Sequence, residues 1–326
     1  GPGALAVTAL TAVAQALTGY LPLWITLASA SAVICPSLYA WFSGSLYTLG
    51  LGAMMLSMSV TLRLDDFGRV LREGKRSVAL GMLAHLVIKA PLALALGRAF
   101  RLSSDALTGL VLLAAAPAAQ AASVAALLAR ADVALCVTVT TLLNLTSFVL
   151  TPLLTKVFAG GAQVAVDAVG MSLTTGQVVL VPLVLGFLFN RTFPAARAKV
   201  AAISPAFAAV IATLFAGSGT ALIAPIIRES VGLEAFVTLT ACVAAFHALC
   251  SGAAFAFGRA ARMPAPEARV LALQGGMQSS SLAFLLARRH FPSQALASAP
   301  PAVSVTVMLV WGMSLATGMA WWDQRA

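Results

Sequence analysis

A polar stretch with two glycines interrupts an apolar run near the end of this chain. Residues 274–281 read Gln-Gly-Gly-Met-Gln-Ser-Ser-Ser. In hydrocarbon an unsatisfied backbone N–H or C=O is costly, so non-helical backbone survives at membrane depth only where protein buries it or where it lines a cavity. Each glycine also weakens a helix by about 1 kcal/mol relative to alanine. We predict that the helix breaks across this octet and that the break contributes to a binding site.

A second break is predicted earlier in the chain, where residues 116–123 read Ala-Pro-Ala-Ala-Gln-Ala-Ala-Ser. Pro117 removes a backbone donor, and its ring clashes with the preceding turn. Half-helices that begin at the two breaks would direct N–H groups and the positive ends of their dipoles at an anion. Ordinary kinks without a ligand are the simpler alternative at either position.

Lys89 is the charged side chain that we expect at membrane depth, since every Asp and Glu falls in a predicted loop or at a span end. No carboxylate is therefore available there to hold sodium or to relay a proton. Charged residues inside spans are costly and commonly functional, although Lys89 could instead snorkel to the interface. His85 lies one helical turn earlier on the same face. Histidines in spans are more often packing residues, and this is our default for His85 and His247.

The composition places these residues in a membrane. The chain is 60% hydrophobic and 9% charged, with a mean hydropathy of +0.97, which a water-soluble domain of 326 residues would not have. A net charge of +10 would suit nucleic acid, but the basic residues lie in short loops between apolar runs. We therefore predict the lipid bilayer as a partner and exclude nucleic acid. The spans hold no arrangement of acid, nucleophile and base and no metal cluster, so neither an enzyme nor a cofactor is predicted.

Ten apolar runs of about 20 residues are each long enough to cross roughly 30 Å of hydrocarbon. They cover residues 21–40, 44–62, 77–97, 105–129, 133–155, 168–190, 203–226, 235–258, 268–287 and 297–322. Because five spans lie on each side of a glycine-containing linker, the second half must run inverted relative to the first, as in many transporters. The two predicted breaks then fall in the fourth and ninth spans, which occupy corresponding positions.

The chain is thus predicted to be an all-α polytopic membrane protein in which two five-helix repeats are flanked by short ends. The parts are residues 1–20 as an interfacial segment, 21–157 as the first repeat, 158–167 as the linker, 168–322 as the inverted second repeat and 323–326 as a C-terminal tail. Gly1-Pro2-Gly3 resembles a protease-cleavage scar and no signal peptide follows it, so we expect a natural targeting segment to be missing. Lys and Arg are concentrated on the side that carries both termini, which places the termini in the cytosol or in a plastid stroma.

Four short stretches resemble the bile acid:sodium symporter family, and most closely its plant and algal plastid members. They are Gly-Met-Gln-Ser-Ser at 276–280, Ala-Arg-Ala-Asp-Val-Ala-Leu at 129–135, Leu-Thr-Pro-Leu-Leu at 150–154 and Gln-Val-Val-Leu-Val-Pro at 177–182. The resemblance implies a panel domain and a core domain, with the fourth and ninth helices unwound and crossing at the substrate site. It also implies an organic anion as substrate and a chloroplast inner envelope location, with a bacterial inner membrane or a plasma membrane as the alternative.

The family's sodium sites are where this chain departs from the pattern. A Ser-Asn pair of the family corresponds to Ala122 and Ser123, and a glutamate that serves both sodium ions corresponds to Gln274. A glutamine of the third helix aligns with His85, or in a second register with Leu86. The candidate cation site, expected to be degenerate, consists of His85, Ser123, Cys136, Thr140, Gln274, Gly275, Met277 and Gln278.

These residues lead to the hypothesis of a secondary carrier for small monocarboxylates, such as pyruvate or glycolate, that operates by alternating access without sodium. The ammonium of Lys89 would act as a built-in cation beside the former sodium site. The candidate substrate site consists of Lys89, Gln120, Ser123, Gln278 and Ser279. A sodium-coupled symporter of bile acids or other organic anions is the alternative, and a receptor with a transporter fold also stays open. Oligomeric state and proton coupling do not follow from the sequence.

Overall fold

The structure is a computed structural model, and it describes residues 18–62, 64–159 and 166–325. Helices form the regular structure of this part of the chain. They are α1 (Leu21–Ile34), α2 (Ser37–Ala40), α3 (Ser45–Thr61), α4 (Leu64–Glu73), α5 (Lys75–Ala99), α6 (Ser104–Ala115), α7 (Ala121–Leu128), α8 (Val133–Ala159), α9 (Ala168–Thr175), α10 (Val181–Thr192), α11 (Pro194–Ile226), α12 (Gly232–Ala260), α13 (Ala265–Gly276), α14 (Ser280–His290) and α15 (Ala299–Asp323). Wide π turns at Gly176–Leu180 and Ile227–Val231 join α9 to α10 and α11 to α12, and a 3-10 turn at Ala295–Ser298 precedes α15.

Several of these helices can cross a bilayer. Among the described residues, six helical stretches are long and apolar enough by length and composition, and three shorter helices are apolar as well. The six are Lys75–Ala99, Val133–Ala159, Ala168–Thr192, Ile203–Glu229, Gly232–Ala260 and Ala295–Asp323. The chain is therefore a polytopic, all-helical integral membrane protein. The count of ten spans, the inverted repeat and the boundaries of its parts stay predictions.

The chain divides into two compact units, each assembled from separate segments. Among the described residues, the first contains 18–62 and 177–224, and the second contains 64–159, 166–176 and 225–325. Within the first unit α3 packs along α10. An aromatic cluster at the beginning of α3 joins it to α11, because the ring of Phe215 lies 4.4 Å from Tyr47 and 5.7 Å from Phe42 between centroids.

The second unit contains every residue that the sequence assigned to the candidate sites. Its centre is α5, which packs against α6, α8, α12 and α13. The tightest pair is α12 with α13. At one end of the unit, Ser77 of α5 donates a hydrogen bond to the carboxylate of Glu267 in α13, and Arg269 forms an ion pair with Asp323.

One predicted span and one predicted loop differ from the helices observed. The span predicted at 21–40 is interrupted before Pro36, since proline cannot donate the backbone hydrogen bond that would continue α1. Residues 64–73, which we predicted as a loop, form the helix α4. Apolar residues at positions 64, 67, 70 and 71 recur at helical spacing among charged ones, a pattern typical of an amphipathic helix at a membrane surface.

Candidate functional site

The two predicted breaks meet in the second unit. Helix α6 ends before Ala116 and α7 begins after Gln120, while α13 ends at Gly276 and α14 begins at Ser280. Ala118 and Gln278 form an isolated antiparallel bridge between the two breaks. Its hydrogen bonds run from Ala119 N to Met277 O at 2.9 Å and from Ser279 N to Pro117 O at 2.8 Å. Each break therefore satisfies part of the backbone that the other leaves free, as buried peptide groups require.

Side chains from α5 and α8 satisfy the carbonyls at the end of α6. The Lys89 Nζ donates to Ala116 O at 3.2 Å, and Thr151 Oγ1 donates to Ala115 O at 2.9 Å. Asn144 Nδ2 donates to Thr140 O at 2.8 Å and lies 3.5 Å from Ala118 O. The ammonium thus lies at the negative end of the α6 dipole, where a cation is favoured.

A histidine has the corresponding position at the end of α13. His247 Nδ1 lies 2.9 Å from Gly276 O, and its Nε2 lies 2.9 Å from Ser304 Oγ. Since a carbonyl only accepts, Nδ1 carries the proton, and Nε2 accepts from Ser304, whose oxygen lies 2.8 Å from Ser280 Oγ. The default of a hydrogen-bonded packing histidine is therefore confirmed for His247.

The second break is shorter than predicted. Gly275 and Gly276 are helical, and only Met277 to Ser279 leave the helix, so our prediction of a break across the octet 274–281 was wrong in extent. A Cβ on Gly275 would meet Cys250 O at 2.7 Å, and one on Gly276 would meet His247 O at 3.1 Å. The two glycines allow α13 to approach α12 closely rather than unwinding the chain.

Lys89 is buried, with 1% of its surface exposed, and it lines a narrow cavity together with His85 and Gln274. The cavity measures about 10 Å³, enough for roughly one water molecule. His85 Nδ1 and Gln274 Oε1 are both buried in the structure without a hydrogen-bond partner. One ring nitrogen of His85 therefore lacks the partner that buried polar atoms usually have, and the role of His85 stays a prediction.

Four members of the candidate cation site, including Gln274, lie close together. Its Nε2 donates to Cys136 O and to Thr140 Oγ1, at 3.0 Å in each case. The Cys136 thiol faces hydrogen-bonding groups of Ser123, Thr140 and Gln274. An amide NH₂ thus directs its positive hydrogens at the carbonyl and the hydroxyl that a bound cation would need as ligands.

These residues do not fit a sodium ion well. A hard cation prefers several oxygen ligands, including anionic ones. Around Gln274 the backbone oxygen of Cys136 and the hydroxyl of Thr140 are already hydrogen-bonded to an amide, and position 136 has sulfur. A sodium ion near the remaining Gln274 Oε1 would also share the cavity with the ammonium of Lys89.

The remaining predicted residues lie at the breaks. Gln278 is fully buried, and its Nε2 donates to Gly275 O while its Oε1 has no partner. The N–H of Ser279 is used in the bridge between the breaks, so it is not available to an anion in this conformation. Gln120 precedes α7, and Ser123 lies in its first turn.

Sequence reasoning did not assign a role at the breaks to Thr151, Ser304 or the carbonyl of Ala116. Thr151 and Ser304 lie on other helices, 36 and 24 residues away from their partners Ala115 and Ser280. For His247 alone the sequence held a usable signal. It lies in the eighth predicted span, which corresponds in the predicted repeat to the third span, where Lys89 lies.

Comparison with known proteins identifies the family. The model of the sodium bile acid symporter family matches residues 48–225. The chain is 34% identical over 313 residues to the rice (Oryza sativa subsp. japonica) protein "Probable sodium/metabolite cotransporter BASS2, chloroplastic", covering 96% of this chain and 72% of that protein. It is 34% identical to rice BASS3, covering 93% and 70%, and 29% identical to BASS1 of Arabidopsis thaliana, covering 93% and 74%.

The match to the family covers more than half of the chain, and the rice relative extends it to nearly the whole length. The broken helices that meet in the second unit agree with the resemblance noted from the sequence. This chain belongs to the sodium bile acid symporter family.

Proposed function

We propose that this chain is a secondary transporter of small monocarboxylates that moves them by alternating access without sodium. The substrate carboxylate pairs with Lys89 beside the two breaks. Gln120, Ser123, Gln278 and Ser279 contribute polar groups as the helices around them rearrange. The ten-span inverted repeat with panel and core domains is part of this proposal. So is a chloroplast inner envelope location, which the names of the plant relatives support.

The observation that carries the proposal is the buried ammonium of Lys89. A lysine ammonium has three donors, and among the described residues Lys89 has one hydrogen-bond acceptor, Ala116 O. No described carboxylate pairs with it; Glu267 bonds to Ser77, which lies roughly 18 Å from Lys89 along α5. A buried charge is tolerated when it is paired, so this site favours a ligand that brings an anion.

The amide of Gln274 supports independence from sodium. A glutamate at this position would supply negative charge to a cation, whereas the amide supplies donors and no charge. Lys89 adds a positive charge to the same cavity. The chain itself therefore provides the cation that would otherwise accompany the anionic substrate.

Sodium-coupled transport of an organic anion is the second candidate. It is favoured by the printed names of the relatives, which describe sodium/metabolite cotransporters. The unpartnered oxygens of Gln274 and Gln278 are neutral ligands that a sodium ion could use.

Uptake into liposomes distinguishes the two candidates. Purified protein is reconstituted, and uptake of labelled glycolate and pyruvate is measured with sodium or choline as the external cation. We expect uptake to be equal with sodium and with choline outside and to exceed that of protein-free liposomes. We also expect counterflow when unlabelled substrate is inside the liposomes. A strict sodium requirement would favour the second candidate, and absence of uptake and counterflow with either acid would refute monocarboxylate transport.

A further inference from the structure

Contacts with α8 fix the orientation of the Gln274 amide. Its Nε2 lies 3.0 Å from Cys136 O, a backbone carbonyl that can only accept a hydrogen bond. The NH₂ group must therefore face α8, and the carboxamide oxygen must face away from it. That oxygen is buried and has no donor among the described residues.

Lys89 and Gln274 line the same cavity and carry two different polar groups. Lys89 supplies a cation with unused donors, and Gln274 supplies an acceptor that lacks a donor. A buried acceptor left unsatisfied costs about 1–3 kcal/mol. A ligand that brings both a carboxylate and an adjacent hydroxyl satisfies the two groups together.

We infer that the site selects 2-hydroxy monocarboxylates over 2-oxo monocarboxylates, with Gln274 Oε1 accepting a hydrogen bond from the 2-hydroxyl. This inference rests on the proposed function and narrows its substrate class. A 2-oxo group carries only acceptor lone pairs, so it cannot satisfy Gln274 and its oxygen is repelled by Oε1. Sites built to hydrogen-bond a substrate hydroxyl reject analogues that lack it by large factors.

The surroundings of Gln274 support a hydroxyl rather than a second cation as its partner. Lys89 lines the same cavity and would repel a cation, whereas a hydroxyl donor is neutral. The cavity of about 10 Å³ must widen for any of these acids, which favours the smallest of them. Glycolate has both required groups on two carbon atoms.

Binding to the purified protein tests the inference. Calorimetric titrations compare lactate with pyruvate and propionate, which differ at carbon 2, and glycolate with acetate. We expect glycolate and lactate to bind at least tenfold more tightly than pyruvate, propionate and acetate. Pyruvate binding as tightly as lactate would overturn the inference and leave monocarboxylate transport standing. If none of the five acids binds, the proposed function fails instead.

Three substitutions test whether Gln274 causes the preference for 2-hydroxy acids. In Gln274→Met the affinity for lactate should fall to that for pyruvate, while pyruvate binding changes less than threefold. Gln294→Met is the matched control, because Gln294 Oε1 is also buried without a partner but does not line the cavity; it should keep the preference. If Gln274→Met does not fold, Thr140→Val removes one acceptor that orients the amide and should reduce the preference at least threefold. If folded Gln274→Met or Thr140→Val kept the full preference for lactate over pyruvate, Gln274 would not be its cause.

Discussion

At both breaks a side chain from a neighbouring helix donates a hydrogen bond to a carbonyl at the end of the preceding helix. The two breaks differ in which side chain donates. At the first, a charged Lys89 from α5 donates to the carbonyl of Ala116, the residue that directly follows α6. At the second, a neutral His247 from α12 donates to the last carbonyl of α13, and Ser304 completes its other nitrogen. The second end is satisfied within the protein, whereas the first keeps a cation with unused donors. Under the proposed function, the ammonium of Lys89 at the first break pairs with the substrate anion, whereas His247 at the second break maintains the crossing.

Replacing Lys89 should give the largest functional effect. Lys89→Met removes the cation but keeps most of the side-chain volume, so glycolate affinity should fall about 100-fold, the cost of losing one partner of a buried charge pair. Thermal stability should not fall, because a costly unpaired charge is removed. The measurements are calorimetric binding and the melting temperature. Lys156→Met, at an exposed position in the last turn of α8, is the control and should bind normally.

Replacing His247 should lower stability more than it lowers substrate affinity. His247→Ala removes the side-chain donor to Gly276 O and one of the two partners of the Ser304 hydroxyl, and it creates a cavity, with an expected loss of about 3 kcal/mol in the free energy of unfolding. Glycolate affinity should change much less than in Lys89→Met once the protein is folded. If this variant kept its melting temperature and lost binding, the division of roles between the breaks would be wrong.

The close approach of α13 to α12 can be tested by replacing glycines with alanine. Gly276→Ala would place a methyl group against the Ser251 side chain and near His247 O, so overpacking should cost about 2 kcal/mol. Gly252→Ala in α12 meets nothing within 4 Å and should be neutral or slightly stabilising. Equal melting temperatures for the two variants would contradict a packing role for Gly276.

The smallest effect is expected at the first break. Thr151→Val removes the hydrogen bond to Ala115 O and should cost about 1 kcal/mol. Thr155→Val is the matched control, since Thr155 bonds only to a carbonyl of its own helix, Thr151 O, and should cost less. A difference in the opposite direction in chemical denaturation would show that Thr151 does not support the break.

The sequence predicted the breaks and the buried lysine because local chemistry determines them. Pro117 lacks the backbone donor that a continuing helix would use, and Lys89 lies near the middle of an apolar span. The extent of the second break was not predictable, because Gly275 and Gly276 serve packing against α12, a contact that no local pattern encodes. His247 and Ser304 come together across 57 residues, so their network required the structure.

The register ambiguity at the third span has a similar cause. The third span can be aligned with the family pattern in two registers, which place either His85 or Leu86 at the family's glutamine, and only packing decides which residue faces the site. In the structure His85 lines the cavity with Lys89 and Gln274. The unpartnered atoms of His85 and Gln274 are invisible to sequence reasoning, since a hydrogen-bond deficit exists only relative to neighbours.

The central claim is that Lys89, rather than sodium, provides the cation for the substrate. The most direct test is calorimetric titration of the purified protein with glycolate in buffers that contain either sodium or choline as the only added cation. We predict the same dissociation constant in both buffers. Binding that requires sodium, with an affinity that rises with sodium concentration at constant ionic strength, would contradict the claim.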